Sequence, residues 1–277
     1  MAELSLFERM LFSTVKITVL RGEEVTYGTG FFYQVKINKD YGIPLLVTNK
    51  HVMAAGGWLN IRIHIRNKDG TLTPSGNVDN VNIYVEPGKS FEHPNPNIDI
   101  CAIPITEVLK TFRDNGKDIL YIPVNSELIP SIQQWKDFDA IEDIYMFGCP
   151  NGIYDDFNNN PIVRRGITAT PMGNLYQGKP EFLVDMACFP GSSGSPIFLV
   201  NQAGHFEKNG GVYNLGINRV FFVGILYAGP TISVEGRIVL STPPVYTNTM
   251  MHLGNAIRSS EIIEIENIIR SKNITFD

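Results

Sequence analysis

Two series of short apolar runs, rich in β-branched and aromatic residues and bounded by turn chemistry, limit what this chain can fold into. The first series covers 14–20, 30–37, 44–48, 60–66, 82–85 and 100–105, with turn signals such as Arg21-Gly22, Asn38-Lys39-Asp40 and Lys68-Asp69-Gly70 between them. The second covers 143–147, 162–168, 181–186, 195–200, 221–227 and 237–240. Runs of this length and spacing build antiparallel barrels or sandwiches, not βαβ units. The expected fold is all-β, with two six-stranded antiparallel β-barrels. A short N-terminal helix over 2–12 carries Leu4, Phe7, Met10 and Leu11 at helical spacing. A C-terminal helix carries Ile262, Ile265 and Ile269 on one face, with Ser259 or Ser260 as its cap.

Residues 106–135 lose the strand rhythm and contain Asp114-Asn115-Gly116, Pro123 and Pro130, so they read as a connecting segment. The stretches 155–160 and 204–211 read as polar surface loops. The expected organisation is one domain over 1–277: a first barrel at 13–105, a linker at 106–135, a second barrel at 136–248 and the C-terminal helix at 249–277.

The chain has 277 residues, 43% of them hydrophobic and 18% charged, enough apolar material for a sizeable core. A net charge of −5 argues against nucleic acid or an anionic membrane as partner. Cys101, Cys149 and Cys188 are odd in number and widely spaced, so no disulfide framework is implied. Glu3, Glu8 and Arg9 interrupt the first residues early, which does not fit a secretory leader. No apolar run approaches the roughly 18 residues of a membrane span. A cytoplasmic protein is the expectation. His64, His93, His205 and His252 fall in no Cys/His/Asp cluster at metal spacing, and no metal or organic cofactor is expected.

Three stretches carry chemistry. Pro190-Gly191-Ser192-Ser193-Gly194-Ser195-Pro196 is a tight turn leading into an apolar run. A serine hydroxyl needs a base to take its proton and fixed donors to hold the oxyanion that forms. Ser193 is the candidate nucleophile, and the backbone N–H groups of Gly191 and Ser193 are the candidate donors. Leu45-Leu46-Val47-Thr48-Asn49-Lys50-His51-Val52 ends an apolar run in a histidine, a side chain suited to general-base work. Asn97-Ile98-Asp99-Ile100-Cys101-Ala102-Ile103 opens another apolar run with an aspartate that needs a partner if buried, and Asp99 suits the orienting role on an imidazole. Each stretch alone also has a plain reading: a Gly/Ser turn, a surface histidine, a turn-capping acid.

Together they stand in the order His, Asp, Ser, which is the chymotrypsin order. Further motifs accompany them: Tyr27-Gly28-Thr29-Gly30-Phe31-Phe32 ahead of the histidine, His93-Pro94 ahead of the aspartate, Phe147-Gly148-Cys149-Pro150-Asn151-Gly152 at the start of the second series, Asp185-Met186-Ala187-Cys188-Phe189 before the nucleophile turn, and Val223-Gly224-Ile225-Leu226-Tyr227 after it. On these motifs, spanning about 28 to 229, the chain resembles the chymotrypsin-fold (trypsin-like) serine peptidases, closest to the bacterial Deg/HtrA type and other stand-alone members. The resemblance implies hydrolysis of peptide bonds through an acyl-enzyme by His51, Asp99 and Ser193. Ser192 stands where digestive members carry an aspartate that pairs with a freshly cut N-terminus, so activation by propeptide cleavage is not expected. Ser195 replaces the second glycine of the motif.

In such relatives the pocket for the residue before the scissile bond is lined by the segment leading to the nucleophile. Here that is Ala187, Cys188 and Phe189, with Tyr227, Ala228 and Gly229 opposite. No acid stands at Ala187, so a small or medium apolar side chain is the expected preference. The expected partners are a protein or peptide substrate and, because unrestrained proteolysis in the cytosol is hazardous, a regulatory protein partner. The rival reading is a catalytically degenerate binding module on the same scaffold. Cys188 reads as a small buried hydrophobe, Cys149 sits in a turn with proline and nothing marks it as activated, and His93 reads as structural and Lys50 as pointing to water.

Overall fold

The computed structural model describes residues 4–39, 41–53, 56–66, 77–86, 88–208, 211–236 and 245–272. Helix α1 (Leu6–Ser13) leads into strands β1 (Thr14–Arg21), β2 (Glu24–Lys36) and β3 (Gly42–Thr48), then the one-turn helix α2 (Lys50–Met53). Strands β4 (Gly57–His64), β5 (Val78–Val85), β6 (Phe91–Glu92) and β7 (Cys101–Pro104) follow. These strands form one antiparallel sheet in the order β5-β4-β1-β2-β3-β7-β6. The seventh strand is the two-residue β6, which pairs with the start of β7.

Helices α3 (Thr106–Asp114) and α4 (Ile132–Asp137) lie in the connecting segment. That segment also docks on the first sheet, where Gln34 N–H donates to Val124 O at 2.9 Å and Val124 N–H to Phe32 O at 2.9 Å. The second unit contains β8 (Asp143–Gly148), β9 (Ile162–Thr168), β10 (Glu181–Asp185), β11 (Pro196–Asn201), β12 (Gly204–Phe206), β13 (Tyr213–Leu215), β14 (Arg219–Ala228), β15 (Thr231–Gly236), β16 (Val245–Met250), β17 (Leu253–Arg258) and helix α5 (Ile262–Ser271). Six of these strands close a barrel in the order β10-β17-β14-β11-β8-β9. The all-β architecture with short terminal helices is therefore present, as a closed six-stranded barrel and a seven-stranded sheet consistent with the expected double barrel.

Four local expectations differ from the structure. The stretch 204–211 begins as a strand, because Gly204, His205 and Phe206 pair with Leu215, Asn214 and Tyr213 in a hairpin. The span 249–277 is not a helix throughout: its alternating small and apolar residues at 253–258 pair with both β10 and β14 and close the barrel, and α5 starts only at Ile262. Neither Ser259 nor Ser260 caps α5, and the Ser259 hydroxyl instead donates to Phe222 O at 2.6 Å. The N-terminal helix starts at Leu6, with Ser5 and Glu8 forming a reciprocal capping box. The strand expected at 237–240 lies outside the described residues.

One buried cluster fastens the two units. Phe31, Tyr33, Val35, Leu45 and Val47 from the first sheet meet Phe147, Phe198, Phe222 and Ile225 from the barrel and Ile262, Ile265 and Ile269 from α5. Phe222 is the centre of an aromatic stack, with ring centroids 5.2 Å from Phe31 and 5.5 Å from Phe198. Helix α5 adds a buried polar tie, in which Tyr33 OH donates to Glu266 Oε1 at 2.6 Å and Arg270 Nη2 pairs with Oε2 at 3.1 Å. Two further cores fill the separate units, one around Ile17, Leu46 and Ile61 and one around Met146, Phe182 and Val223. Among the described residues no helix is long and apolar enough to cross a membrane.

His64 makes this interface sensitive to pH. It is buried, its ring stands edge-on to Phe12, and its Nε2 lies 3.0 Å from the Asn159 carbonyl, which can only accept. Burial holds its pKa below the ordinary 6.5, and the nearby Arg62 adds to that. The unfolded chain takes up a proton near 6.5 that the folded chain refuses. Stability is therefore complete above that pH and is lost as pH falls from there toward the lower folded value. The melting midpoint should drop more steeply below pH 6.5 in the parent than in His64→Gln. Equal slopes would remove His64 as the cause.

Candidate active site

Strand β3 is buried on both faces between β2 and β7, and it stops at Thr48 because the next residues turn into α2. Three consecutive residues at that turn grip the segment leading to Asp99. The Asn49 side-chain amide donates to the Asp99 carbonyl at 2.6 Å. Lys50 Nζ donates to the carbonyls of His93 at 2.9 Å and Asn95 at 3.2 Å. His51 N–H donates to Asp99 Oδ1 at 3.0 Å, and His51 Nδ1 lies 2.5 Å from Oδ2. Lys50 thus does not point to water, as its sequence context suggested. The carbonyls of His93 and Asn95 draw its ammonium onto the loop that leads to Asp99. His93 is structural: its Nδ1 accepts from Asn95 N–H at 3.1 Å, burial lowers its pKa, and it holds the loop neutral. Its Nε2 is 3.4 Å from Glu261, too poorly aligned for a hydrogen bond.

Asp99 is not sealed in the core; its side chain keeps 21% of its exposure and that of His51 keeps 49%. A carboxylate only accepts, so the proton between the two sits on Nδ1. That leaves Nε2 as the acceptor of the ring, with no partner among the described residues.

The turn that carries Ser193 lies between β10 and β11 of the barrel. Phe189 to Ser192 form a tight turn closed by Ser192 N–H donating to Phe189 O at 3.0 Å. Gly191 has φ +84°, and a Cβ there would lie 2.8 Å from the Cys149 carbonyl. Glycine is required on both counts. The Pro190 carbonyl accepts from Asn151 N–H at 2.5 Å, which turns the Gly191 N–H to the opposite side. Ser192, Gly194 and Ser195 N–H groups are all engaged, with Phe189, Leu226 and Ser192 carbonyls. The N–H groups of Gly191 and Ser193 have no partner among the described residues. Ser193 Oγ donates to Tyr227 O at 3.4 Å, and no hydrogen bond joins it to His51. Ser195 is fully buried and is accommodated because the residue facing its hydroxyl is Gly148.

The pocket residues fall on two facing walls. Ala187, Phe189, Tyr227, Ala228 and Gly229 are half-buried and Cys188 is buried. A Cβ at Gly229 would lie 3.7 Å from Cys188 Cβ, so these two walls do meet. The Tyr227 ring turns away, its OH donating to Glu181 at 2.8 Å. Phe189 packs under the Arg164 guanidinium and edge-on to His252. A Cβ at Gly254 would come 2.5 Å from both Cys188 Sγ and Leu226 Cδ1, so only glycine fits where the barrel core packs behind these residues. Burial pushes the Cys188 and Cys149 thiols up to about 12, which fits inert hydrophobes and not nucleophiles.

A protein family described as trypsin-like peptidase domain matches residues 28–206, a span that includes His51, Asp99 and Ser193. The chain belongs to that family. Among solved structures, this trypsin-like peptidase domain is similar to the HtrA-type protease AlgW with tripeptide, at 14% identity and a TM-score of 0.50, over 95% of this chain and 62% of that one. It thus spans less than two thirds of that protein's length. It is also similar to the serine endoprotease from Yersinia pestis (14% identity, TM-score 0.49, 97% of this chain and 68% of that one). A third likeness is to the thermostable serine protease AL20 from an extremophilic microorganism (13% identity, TM-score 0.47, 96% and 100%). At these identities the likeness is one of fold. No curated protein matches the chain.

Proposed function

We propose that this peptidase domain is a serine endopeptidase with Ser193 as nucleophile, His51 as general base and Asp99 as the group that orients the base. The observation that carries the reading is the pair of unspent amide donors at Gly191 and Ser193, on a turn whose other N–H groups are all engaged, beside a histidine already paired to a carboxylate. Unpartnered amides directed at one place are what a developing oxyanion needs.

In the reaction, Ser193 Oγ leaves the Tyr227 carbonyl and turns to His51 Nε2. As Oγ bonds to the substrate carbonyl carbon, its proton passes to Nε2 and the carbonyl oxygen takes up negative charge between the Gly191 and Ser193 N–H groups. Asp99 stabilises the imidazolium that forms. When the peptide C–N bond breaks, Nε2 returns the proton to the leaving amine. Water then repeats the cycle on the acyl-enzyme. Unbound catalytic hydrogen bonds are commonly loose and tighten around substrate, which suits the Ser193 orientation seen here.

A fluorophosphonate probe tests the assignment. It should label the parent protein and fail to label Ser193→Ala. A folded parent that takes no label would favour the degenerate binding module instead.

The apolar surroundings of Cys188, with no acid at Ala187, support a preference for small or medium apolar side chains before the scissile bond. Profiling a peptide library checks this, and dominant cleavage after Arg would overturn it.

A further inference from the structure

We propose that Thr29 is a positioning residue for the oxyanion-binding turn: its buried hydroxyl, accepting from Cys149 N–H and donating to the Gly191 carbonyl, fixes the Gly191–Ser192 peptide plane and with it the turn that presents the Gly191 N–H. The inference rests on the serine peptidase reading above and names a group in the other unit that holds its donor in place.

Thr29 lies in β2 of the first sheet and is 0% exposed. Its Oγ1 donates to Gly191 O at 2.9 Å and accepts from Cys149 N–H at 2.9 Å. Its backbone N–H donates to Ser193 O at 2.8 Å, and its own carbonyl accepts from Thr48 Oγ1 at 2.7 Å. A hydroxyl has a single proton to donate, and here it is committed. The residue is therefore fixed on both sides of its backbone, and its side chain bridges two segments of the second unit.

A peptide plane carries its N–H and C=O on opposite sides, so fixing a carbonyl fixes the neighbouring amide. The Pro190 carbonyl is held by Asn151 N–H and the Gly191 carbonyl by Thr29 Oγ1. These two bonds set the orientation of both planes around Gly191, whose lack of a Cβ otherwise leaves it free to rotate. The turn receives no such hold from its own side chains. Among the described residues the buried Ser192 hydroxyl has no partner, and the Ser193 hydroxyl reaches only the Tyr227 carbonyl. Removing the Thr29 hydroxyl strands a carbonyl and an amide together, and the Gly191 plane is the one able to turn in search of a new partner.

Thr29→Val keeps the shape and removes the hydroxyl, whereas Thr29→Ser keeps the hydroxyl. Thr29→Ala serves if the valine variant does not fold. With a peptide substrate, the valine variant should lose about 10²-fold in kcat with KM within about threefold of the parent, while the serine variant stays near parent activity. Amide hydrogen exchange supplies a readout independent of turnover: the Ser192 N–H, bonded to Phe189 O, should exchange at least about tenfold faster in the valine variant than in the parent or the serine variant. Parent-like kcat and parent-like exchange in the valine variant would overturn the proposal. So would equal losses in the valine and serine variants. A parent without turnover, in which only the valine variant loses Ser192 protection, sinks the peptidase reading and leaves Thr29 as the anchor of the turn.

Discussion

Asp99→Asn is expected to fold normally and to lose about four orders of magnitude in kcat, the scale expected when a base is held in the wrong tautomer. The geometry dictates which way the new amide points. The backbone N–H of His51 is an obligatory donor to Oδ1, so the asparagine oxygen must remain there. The amide NH₂ then faces Nδ1, which must accept, and the ring proton moves to Nε2. The imidazole can no longer take a proton from Ser193. The amide still occupies the position of Oδ2 and the three consecutive grips of Asn49, Lys50 and His51 on this segment persist, so the melting midpoint should stay close to that of the parent. Turnover of a chromogenic peptide, measured beside thermal melting, checks both halves. Activity within tenfold of the parent would show that Asp99 does not hold the base.

Phe222→Ala should cost about 3–5 kcal/mol, the range for an aromatic side chain removed from a packed core. Phe222 is fully buried and stacks on rings from both units, so neither unit can close the cavity without abandoning the other. The melting midpoint should fall on the order of 10 °C. Phe206→Ala is the contrast, because Phe206 is exposed on the β12–β13 hairpin and its loss should change stability by less than about 1 kcal/mol. Chemical denaturation of both variants decides the matter. Similar losses would mean that the aromatic stack does not fasten the units.

Much of the architecture could be read from the chain because each strand has its own local signal. The run at 162–168 coincides with β9, the run at 30–37 covers only the second half of β2, and the other runs within the described residues shift by one to four residues at their ends, where pairing and not composition sets the limit. The three side chains proposed for catalysis were legible because each sits beside a distinct motif. Their surroundings were not. Nothing local marks Lys50 as a donor to two carbonyls more than 40 residues away, since lysine is normally solvated. The Thr29 hydroxyl contacts segments 120 and 162 residues distant, and only the folded chain brings them together. The isoleucine face at 262–269 dominates the signal of the tail and hides strand β17, whose Gly254 and Ala256 are small where the barrel closes over Cys188 and Leu226. The idle amides of Gly191 and Ser193 were inferred from a glycine-rich turn, but their freedom follows from the bonds that occupy every neighbour.

The shared core also bears on how the protein is made. A growing chain that has passed residue 230 already contains His51, Asp99 and Ser193, but the core that joins the two sheets still lacks Ile262, Ile265 and Ile269. Contacts so distant in sequence form late and slowly. On the ribosome, Tyr33 would have neither Glu266 to receive its hydroxyl nor a helix to cover it until those residues emerged. Until α5 emerges, the joint core that fastens the two units is incomplete and the Tyr33 hydroxyl lacks its acceptor.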